Sequence, residues 1–349
     1  MARLAGNNRG IEITRRHPEG AVVSLHRPDL SRQVIRPGQI RRVEPSEIDA
    51  ALELILTNDS EARLQIEDKI FSFKQLARRE QYDLTRQMVC LYQGRMVHAC
   101  LFICQPGRSA FILISPVRSN GSSDSHLSSL ASRTLRFTCQ WALREGASLI
   151  QVLTEPNDSN RIALCRHSGF RKLTDLIYLL RPADPVPGAR GRLPAGMRWL
   201  TYAPEHNDLF AQAINRTYED SQDCPELSEL RDIGDVIASH QATGHFQPEL
   251  WRLLLQDDEP VGVMILSPLR SNDALELTYM GLASSARGKG LGKLMLREIF
   301  YQAKQFDNLP ITLAVDCRNH VAFRLYTGAG FQVVLRRTAF ILSSRWPGV

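Results

Sequence analysis

A basic, glycine-rich loop near the C-terminus is the segment whose residue types and spacing could bind a charged ligand. Strand-like residues 274–282 precede the loop, and helix-like residues 293–305 follow it. Glycines allow a tight turn with unobstructed N–H groups, and a helix N-terminus adds positive potential. The loop therefore predicts a site for a phosphate-bearing ligand, formed by Arg287, Gly288, Lys289, Gly290, Leu291, Gly292 and Lys293.

The spacing of the glycines distinguishes this loop from two common phosphate loops. A Walker A loop needs Ser or Thr after Gly-Lys, whereas Leu294 follows Lys293 here. A dinucleotide fingerprint reads G-x-G-x-x-G, whereas this loop reads G-x-G-x-G. The pattern Arg-x-x-Gly-x-Gly, placed between a strand and a helix, instead resembles the acyl-CoA pyrophosphate loop of the GNAT N-acetyltransferases.

A second motif follows the loop in the order that this family has. Residues 311–315 read as a buried strand, and residues 319–327 have helical spacing that ends at a glycine signal. The string Asn319-x-x-Ala322-x-x-x-Tyr326-x-x-x-Gly330-Phe331 resembles the second GNAT motif. The resemblance implies that Asn319 contacts the CoA arm and that Tyr326 faces the thioester sulfur.

The resemblance also implies roles in acyl transfer. Glu276 lies eleven residues before Arg287, the spacing of the general base in histone acetyltransferase members of the family. The alternative is a solvated strand residue, and Tyr279 is the next candidate for the acceptor pocket. A bulge at Met280, Gly281 and Leu282 would free N–H groups for the pantetheine and the thioester. Tyr326 would protonate the departing thiolate.

Composition is that of an ordinary globular protein with a basic surface. The 349 residues are 43% apolar and 23% charged, with a net charge of +6. This charge suits an anionic ligand such as CoA, and no nucleic-acid motif accompanies it. Seven scattered cysteines indicate neither a disulfide framework nor zinc. No membrane-spanning run or signal peptide is evident, so we expect a cytoplasmic protein without a metal.

Similar segments recur at nearly the same separation in the two halves. Ser168-Gly169-Phe170 recurs as Ala329-Gly330-Phe331, and Pro106-Gly107-Arg108-Ser109 recurs as Pro268-Leu269-Arg270-Ser271. Such a long-period repeat indicates a tandem duplication, an arrangement similar to that of the mycothiol synthases. We predict a flexible basic segment (1–38), a degenerate GNAT-like domain (39–181), a Pro/Gly/Arg linker (182–196) and an acyl-CoA-binding GNAT domain (197–349).

The apolar periodicity predicts an α/β fold in both copies. Each would be a mixed, mostly antiparallel sheet with helices on both faces. In the first copy the predicted helices are 46–56, 126–144 and 159–167, and the strands are 87–92, 96–104, 111–116, 149–154 and 171–180. In the second, the predicted helices before the loop are 205–217 and 227–240, and the strands are 250–255, 261–267, 274–282, 311–315 and a closing strand at 331–342.

The first copy lacks the residues that carry the chemistry. Residues 119–125, which stand where the basic loop would be, contain one glycine and one acid. Counted back from the shared Gly-Phe, Tyr326 corresponds to Cys165 and Asn319 to Asp158. We expect the first copy to be structural or to help form the acceptor site. The alternative is that it binds CoA by another route.

The sequence therefore predicts an N-acyltransferase that uses acetyl-CoA in its second copy. The acceptor would be an amine on a small molecule or peptide, and a monomer is plausible. The acidic stretch at 220–226, which falls where the family places its acceptor-binding helices, would suit a cationic amine. The alternatives are a non-catalytic acyl-CoA sensor or scaffold, and an aminoacyl transferase that uses charged tRNA.

Overall fold

The computed structural model describes residues 38–57, 63–117, 125–183, 191–271 and 273–347. The predicted basic segment up to residue 37, most of the degenerate loop at 119–125 and the linker residues 184–190 lie outside these ranges. The described residues form both strands and helices, and twelve strands form one mixed sheet. The α/β prediction is confirmed.

The first half of the chain contains six strands and four helices among its described residues. They are β1 (Gln39–Arg42), α1 (Ile48–Leu56), α2 (Arg63–Arg79), β2 (Gln87–Tyr92), β3 (Arg95–Gln105), β4 (Ser109–Ile114), α3 (Ser125–Arg144), β5 (Leu149–Thr154), α4 (Ser159–His167) and β6 (Arg171–Arg181).

The second half repeats this order element by element. It contains β7 (Met197–Thr201), α5 (Asn207–Tyr218), α6 (Ile233–Ala242), β8 (Trp251–Gln256), β9 (Glu259–Pro268), β10 (Leu275–Leu282), α7 (Leu291–Lys304), β11 (Ile311–Asp316), α8 (His320–Thr327) and β12 (Gln332–Ser343). The tandem repeat is thereby confirmed, while the exact domain boundaries stay a prediction. Sequence reasoning missed β1, α2 and β7 and started α6 too early.

The two halves exchange their last strands. The sheet order is β1-β2-β3-β4-β5-β12-β6-β11-β10-β9-β8-β7. Strand β12, from the end of the second half, pairs with β5 from Thr338↔Thr154 to Ser343↔Leu149. Strand β6, from the first half, pairs with β11 from Ile311↔Arg181 to Asp316↔Leu176. The predicted strand at 331–342 therefore exists, but it does not close its own copy.

Each hydrophobic core is completed by a strand from the other half. Ile177 and Leu179 of β6 are buried with residues of α7, β10 and β11. Phe340 and Leu342 of β12 are buried with residues of α3, α4 and β5. Burial of apolar surface is the main favourable contribution to folding, so neither half has a complete core without the other.

The sheet opens on the side of the predicted site. Strands β10 and β11 run parallel but pair only at Leu275↔Ile311 and Glu276↔Thr312. Beyond these pairs the two strands diverge toward their carboxyl ends. Strands β4 and β5 of the first half likewise pair only from Ser109↔Leu149 to Phe111↔Gln151. A divergence between two parallel strands is thus common to both copies.

The strand exchange predicts that the halves unfold together. Phe340 is fully buried in the core of the opposite half, and Phe340→Ala should lower the free energy of unfolding by about 3–5 kcal/mol. Urea denaturation followed by tryptophan fluorescence and far-UV circular dichroism should show one shared transition. Phe137→Ala, at a side chain that is 42% exposed, is the control. Separate transitions by the two probes would contradict the prediction.

Candidate active site

The divergence of β10 and β11 leaves one edge of β10 without a strand partner over most of its length. On its other edge, β10 pairs with β9, and this register shifts between Leu277 and Tyr279. The bulge therefore lies at Thr278 and not at Met280–Leu282 as expected. Met280, Gly281 and Leu282 keep a regular register with β9. Their edge toward β11 is open because the two strands have already separated.

The glycine loop follows β10 directly and opens helix α7. Gly288 and Gly290 have φ of +76° and +77°, a region that side chains rarely adopt. A Cβ at either position would meet no atom within 4 Å, so the space above the loop is open. Gly290 is the residue that precedes the first turn of α7. The N–H groups of residues 288–292 have no acceptor among the described residues. Together they form a cradle suited to an anion.

Three cations belong to this loop, and the structure gives them different partners. Lys289 and Lys293 are exposed and make no ion pair within the described part of the chain. The guanidinium of Arg287 instead donates to four backbone carbonyls: Leu282 (3.0 Å), Asp220 (2.9 Å), Thr217 (2.9 Å) and Glu219 (2.7 Å). The two lysines are therefore the side chains available to an anion in the cradle.

Two further glycines permit close packing around the loop. A Cβ at Gly292 would lie 3.0 Å from the Leu325 side chain on α8. A Cβ at Gly281 would lie 2.7 Å from the Cβ of Thr217 at the end of α5. Both distances are shorter than a normal carbon–carbon contact. The glycines thus bring α8 and α5 against the two sides of the loop.

Asn319 caps the helix that follows β11. Its Oδ1 accepts a hydrogen bond from the Ala322 N–H at 3.0 Å, which satisfies one of the free donors of α8. Asp158 does the same for α4 in the first half, accepting from the Arg161 N–H at 2.9 Å. This correspondence supports the residue alignment derived from the sequence. The Asn319 amide nitrogen has no partner among the described residues.

Tyr326 lies in the core beneath the diverging strands. Its side chain is 6% exposed, and its ring contacts Phe331 edge-on at 5.7 Å. Burial raises the pKa of the Tyr326 hydroxyl well above its ordinary value, so the group keeps its proton at neutral pH. The hydroxyl makes no hydrogen bond within the described residues. The hydroxyl oxygen is also not fully enclosed by protein atoms.

Glu276 stands where β10 and β11 separate. Leu275 and Leu277, its neighbours in the strand, face the core under α7, so Glu276 points to the opposite face of the sheet. Its carboxylate makes no hydrogen bond or ion pair within the described residues. Burial raises the pKa of this carboxyl above its ordinary value. Glu276 is therefore a half-buried, unpaired acid rather than the solvated strand residue of the alternative interpretation.

Glu276 borders a cavity of about 590 Å³ that lies between the two halves. One wall comes from the first half. It is formed by the end of α2, by the residues that follow α2 up to Arg86, and by the end of β3. The other comes from the end of α6 and the β9–β10 turn. The charged side chains at its rim pair with one another: Arg270 with Glu80 at 3.0 Å and Arg86 with Asp83 at 3.2 Å. Glu276 is thus the lining acid that lacks a cationic partner among the described residues.

Tyr279 lies beside Thr217 on the same face. Their hydroxyl oxygens are 2.7 Å apart, and Thr217 Oγ1 is also 2.7 Å from the Ile214 carbonyl, to which it donates. Because the threonine hydroxyl has one proton, Tyr279 must donate to Thr217. Burial raises the pKa of Tyr279 well above its ordinary value. Tyr279 therefore fixes the end of α5 against β10.

The acidic stretch is bonded to the end of β11. Asp316 is fully buried and accepts from the Cys224 N–H at 3.1 Å, from the Thr174 hydroxyl at 2.6 Å and from the Arg318 guanidinium. Burial alone would raise the pKa of Asp316, but these hydrogen bonds hold it below its ordinary value. Arg318 also pairs with Glu226 at 2.7 Å. Sequence reasoning missed Arg318, and no motif marks it.

The corresponding opening in the first half is filled by an arginine. Arg161 occupies the position of Ala322 in the repeat, and its Nε donates to the Ile114 carbonyl at the end of β4 (3.0 Å). The same side chain reaches the Ile55 carbonyl of α1 (3.5 Å) and pairs with Asp158 (2.6 Å). The first opening is therefore bridged from within the protein.

Comparison with known proteins agrees with these features. Residues 212–331 match the model of the Acetyltransferase (GNAT) family. The mycothiol acetyltransferase of Frankia casuarinae is 28% identical over 214 residues, which cover 57% of this chain and 60% of that protein. The chain thus spans less than two thirds of the length of this curated relative.

A solved structure shows the same fold. The GCN5-related N-acetyltransferase of Sphaerobacter thermophilus superposes with a TM-score of 0.56 at 18% identity, covering 90% of this chain and 98% of that one. Because so much of the chain is covered, the shared fold includes both halves. A tandem GNAT protein from the clavulanic acid biosynthesis pathway covers 88% of this chain at 13% identity and a TM-score of 0.47. No helix in the described ranges is both long and apolar enough to cross a bilayer.

The environment of Glu276 predicts a pH-dependent stability difference. A carboxyl whose pKa is raised on folding contributes stability below the unfolded pKa, and this is lost as the pH rises through the folded pKa. Glu276→Gln should therefore be more stable than the wild type at pH 7.5, because the amide has no charge to desolvate. The advantage should shrink toward pH 4, as measured by urea denaturation across this range. A variant that is less stable at pH 7.5 would show that the carboxylate has a stabilising partner.

Proposed function

Because residues 212–331 match the model of the Acetyltransferase (GNAT) family, we propose that this protein transfers an acetyl group from acetyl-CoA to a primary amine of a small molecule. The second copy performs the reaction. The observation that carries the proposal is the divergence of β10 and β11, with the unpaired Glu276 at its closed end. The anion cradle follows its open end.

The cradle after β10 fits the pyrophosphate of CoA. The N–H groups from Gly288 to Gly292 have no acceptor among the described residues, and the space above Gly288 and Gly290 is open. Lys289 and Lys293 supply charge that no acidic group neutralises in the described structure. The open edge at Met280, Gly281 and Leu282 is where backbone groups can bond an extended pantetheine arm. The free amide nitrogen of Asn319 lies at the neighbouring helix N-terminus.

Glu276 acts as the general base. An amine with a pKa near 10.4 is mostly protonated at neutral pH, so a proton must leave before nitrogen can attack. A carboxylate with a raised pKa is a stronger base than an exposed one. Since Glu276 has no competing cation among the described residues, it can accept the proton directly or through one water.

Tyr326 acts as the general acid. Acetyl-CoA supplies the acetyl group as a thioester, whose thiolate must be protonated on departure. The hydroxyl of Tyr326 retains its proton because burial raises its pKa. Its proton is also not committed to another group among the described residues. A proton is therefore available, but the raised pKa makes its transfer to a thiolate uphill, so donation depends on direct contact with the sulfur.

The acceptor enters through the cavity between the halves. A volume of about 590 Å³ lies within the range of roughly 300–1,000 Å³ that is usual for small-molecule sites. Glu276 offers its charge to an ammonium group there, and the paired acids and arginines at the rim offer hydrogen bonds to polar substituents. The first half thus contributes to catalysis by forming one wall of the site, without binding CoA itself. The mycothiol acetyltransferase similarity supports an amine acceptor.

Calorimetric titration of acetyl-CoA tests the proposal first. We expect one site per chain in the wild type, followed by turnover with members of a panel of small polar amines. Glu276→Gln should keep the acetyl-CoA Kd within about threefold and lower kcat/KM by about 100- to 10,000-fold. Glu249→Gln, at an exposed glutamate, is the control. Two sites, or binding without turnover for any amine, would contradict the proposal, and the latter result would favour an acyl-CoA sensor.

Tyr326→Phe tests the acid separately. The hydroxyl has no hydrogen-bond partner among the described residues. Its removal should therefore leave the free energy of unfolding within about 0.5 kcal/mol of the wild type. The value of kcat should fall by about 100-fold or more, because a positioned general acid typically contributes at least this much. Steady-state kinetics and thermal unfolding measure the two effects. An unchanged kcat would remove Tyr326 from the mechanism.

A further inference from the structure

Residues 217–226, here called the strap, connect the end of α5 to Glu226 and cross the open end of the two diverging strands. At one end, Thr217 packs on Gly281 and accepts from Tyr279, both on β10. At the other end, the Cys224 N–H donates to Asp316 at the end of β11. Since β10 and β11 separate toward these ends, the strap spans the gap between them.

The β10 end of the strap is held mainly by Arg287. Its guanidinium donates to the Thr217, Glu219 and Asp220 carbonyls at 2.7–2.9 Å and its Nε to the Leu282 carbonyl at 3.0 Å. The first three carbonyls belong to the strap, and the fourth belongs to β10. The planar guanidinium has five N–H donors in a fixed fork, which an ammonium group cannot reproduce. Its charge also lies at the C-terminal end of α5, where the helix dipole favours a cation.

The β11 end of the strap is held by buried and charged groups. The Asp316 N–H donates to the Asp223 carboxylate at 3.0 Å, and Arg318 joins the buried Asp316 to Glu226. Cys224, between these contacts, has φ of +45°, a strained conformation for a residue with a side chain. This strain is maintained by the bonds on both sides of it. The strap is therefore held by hydrogen bonds or ion pairs at both of its ends.

From these contacts we infer that Arg287 is a positioning residue, which holds the strap over the gap between β10 and β11 and does not bind the phosphates through its side chain. This inference rests on the proposed function, in which the acetyl end of the thioester lies in that gap. A fixed strap limits water around the thioester and sets the direction from which the amine approaches. Loss of the anchor should impair the chemical step more than CoA binding.

Hydrogen exchange of the ligand-free protein tests the anchor directly. In Arg287→Gln, peptides covering residues 217–226 should exchange at least about tenfold faster, because local opening becomes easier. Arg287→Lys, which keeps the charge but loses the fork, should show a smaller increase. Lys289→Gln and Arg297→Gln, both at exposed cations, should leave the exchange of the strap unchanged. Unchanged exchange in Arg287→Gln would overturn the inference.

Calorimetry with CoA and steady-state kinetics then distinguish a cation that anchors the strap from a cation that binds phosphate. Arg287→Gln should bind CoA within about threefold of the wild type but lose at least about tenfold in kcat, because misplaced groups slow the chemical step. Lys289→Gln should instead weaken CoA binding and reduce its dependence on salt. A loss of CoA affinity in Arg287→Gln equal to that in Lys289→Gln would show a phosphate contact and overturn the inference.

The exchange result does not depend on catalysis. If the wild type acetylates no amine, the proposed function fails, while the exchange rates still decide whether Arg287 anchors the strap. If Arg287→Gln does not fold, Arg287→Lys serves for both measurements. It should then show faster strap exchange and a lower kcat at an unchanged CoA affinity. The opposite pattern would contradict the inference.

Discussion

The reciprocal pairing of β6 and β12 is the constraint on which the rest of the structure depends. Strand β6 brings residues of the first half next to β11, where Thr174 donates to the buried Asp316. Through Asp316 this contact reaches the strap over the second opening. Strand β12 completes the core of the first half, which in turn forms one wall of the cavity beside Glu276. The exchange therefore places residues of both copies around the proposed reaction site.

The two copies share an opening between parallel strands but differ in what occupies it. In the first, the Arg161 side chain bridges the ends of β4 and α1, and its pairing with Asp158 balances the charge. In the second, Ala322 stands at the position of Arg161 and cannot form such a bridge, and the capping residue is the neutral Asn319. The charged groups at the first opening therefore pair with one another and with backbone carbonyls. The copy that has alanine at this position is the one that has the glycine loop.

Local features could be predicted from the sequence because they depend on residue type and spacing. The glycine loop, the correspondence of Asn319 with Asp158, and the order of most elements are of this kind. The strand exchange could not be predicted, since alternation in β12 defines its faces but not its neighbours. The bulge at Thr278 and the carbonyl partners of Arg287 depend on how α5 packs against β10. Helix α2 was missed because it is largely exposed and lacks a clear apolar face.

The position of β12 has a consequence for biosynthesis. It is the last of the described strands to leave the ribosome, yet its place in the sheet is beside β5, in the half that is made first. Until β12 arrives, the edge of β5 and the apolar residues around it have no cover. Exposed strand edges promote association between nascent chains. The first half can therefore complete its core only after β12 has been synthesised. Translation speed and chaperone protection should then affect its folding more than that of a protein whose domains fold one after another.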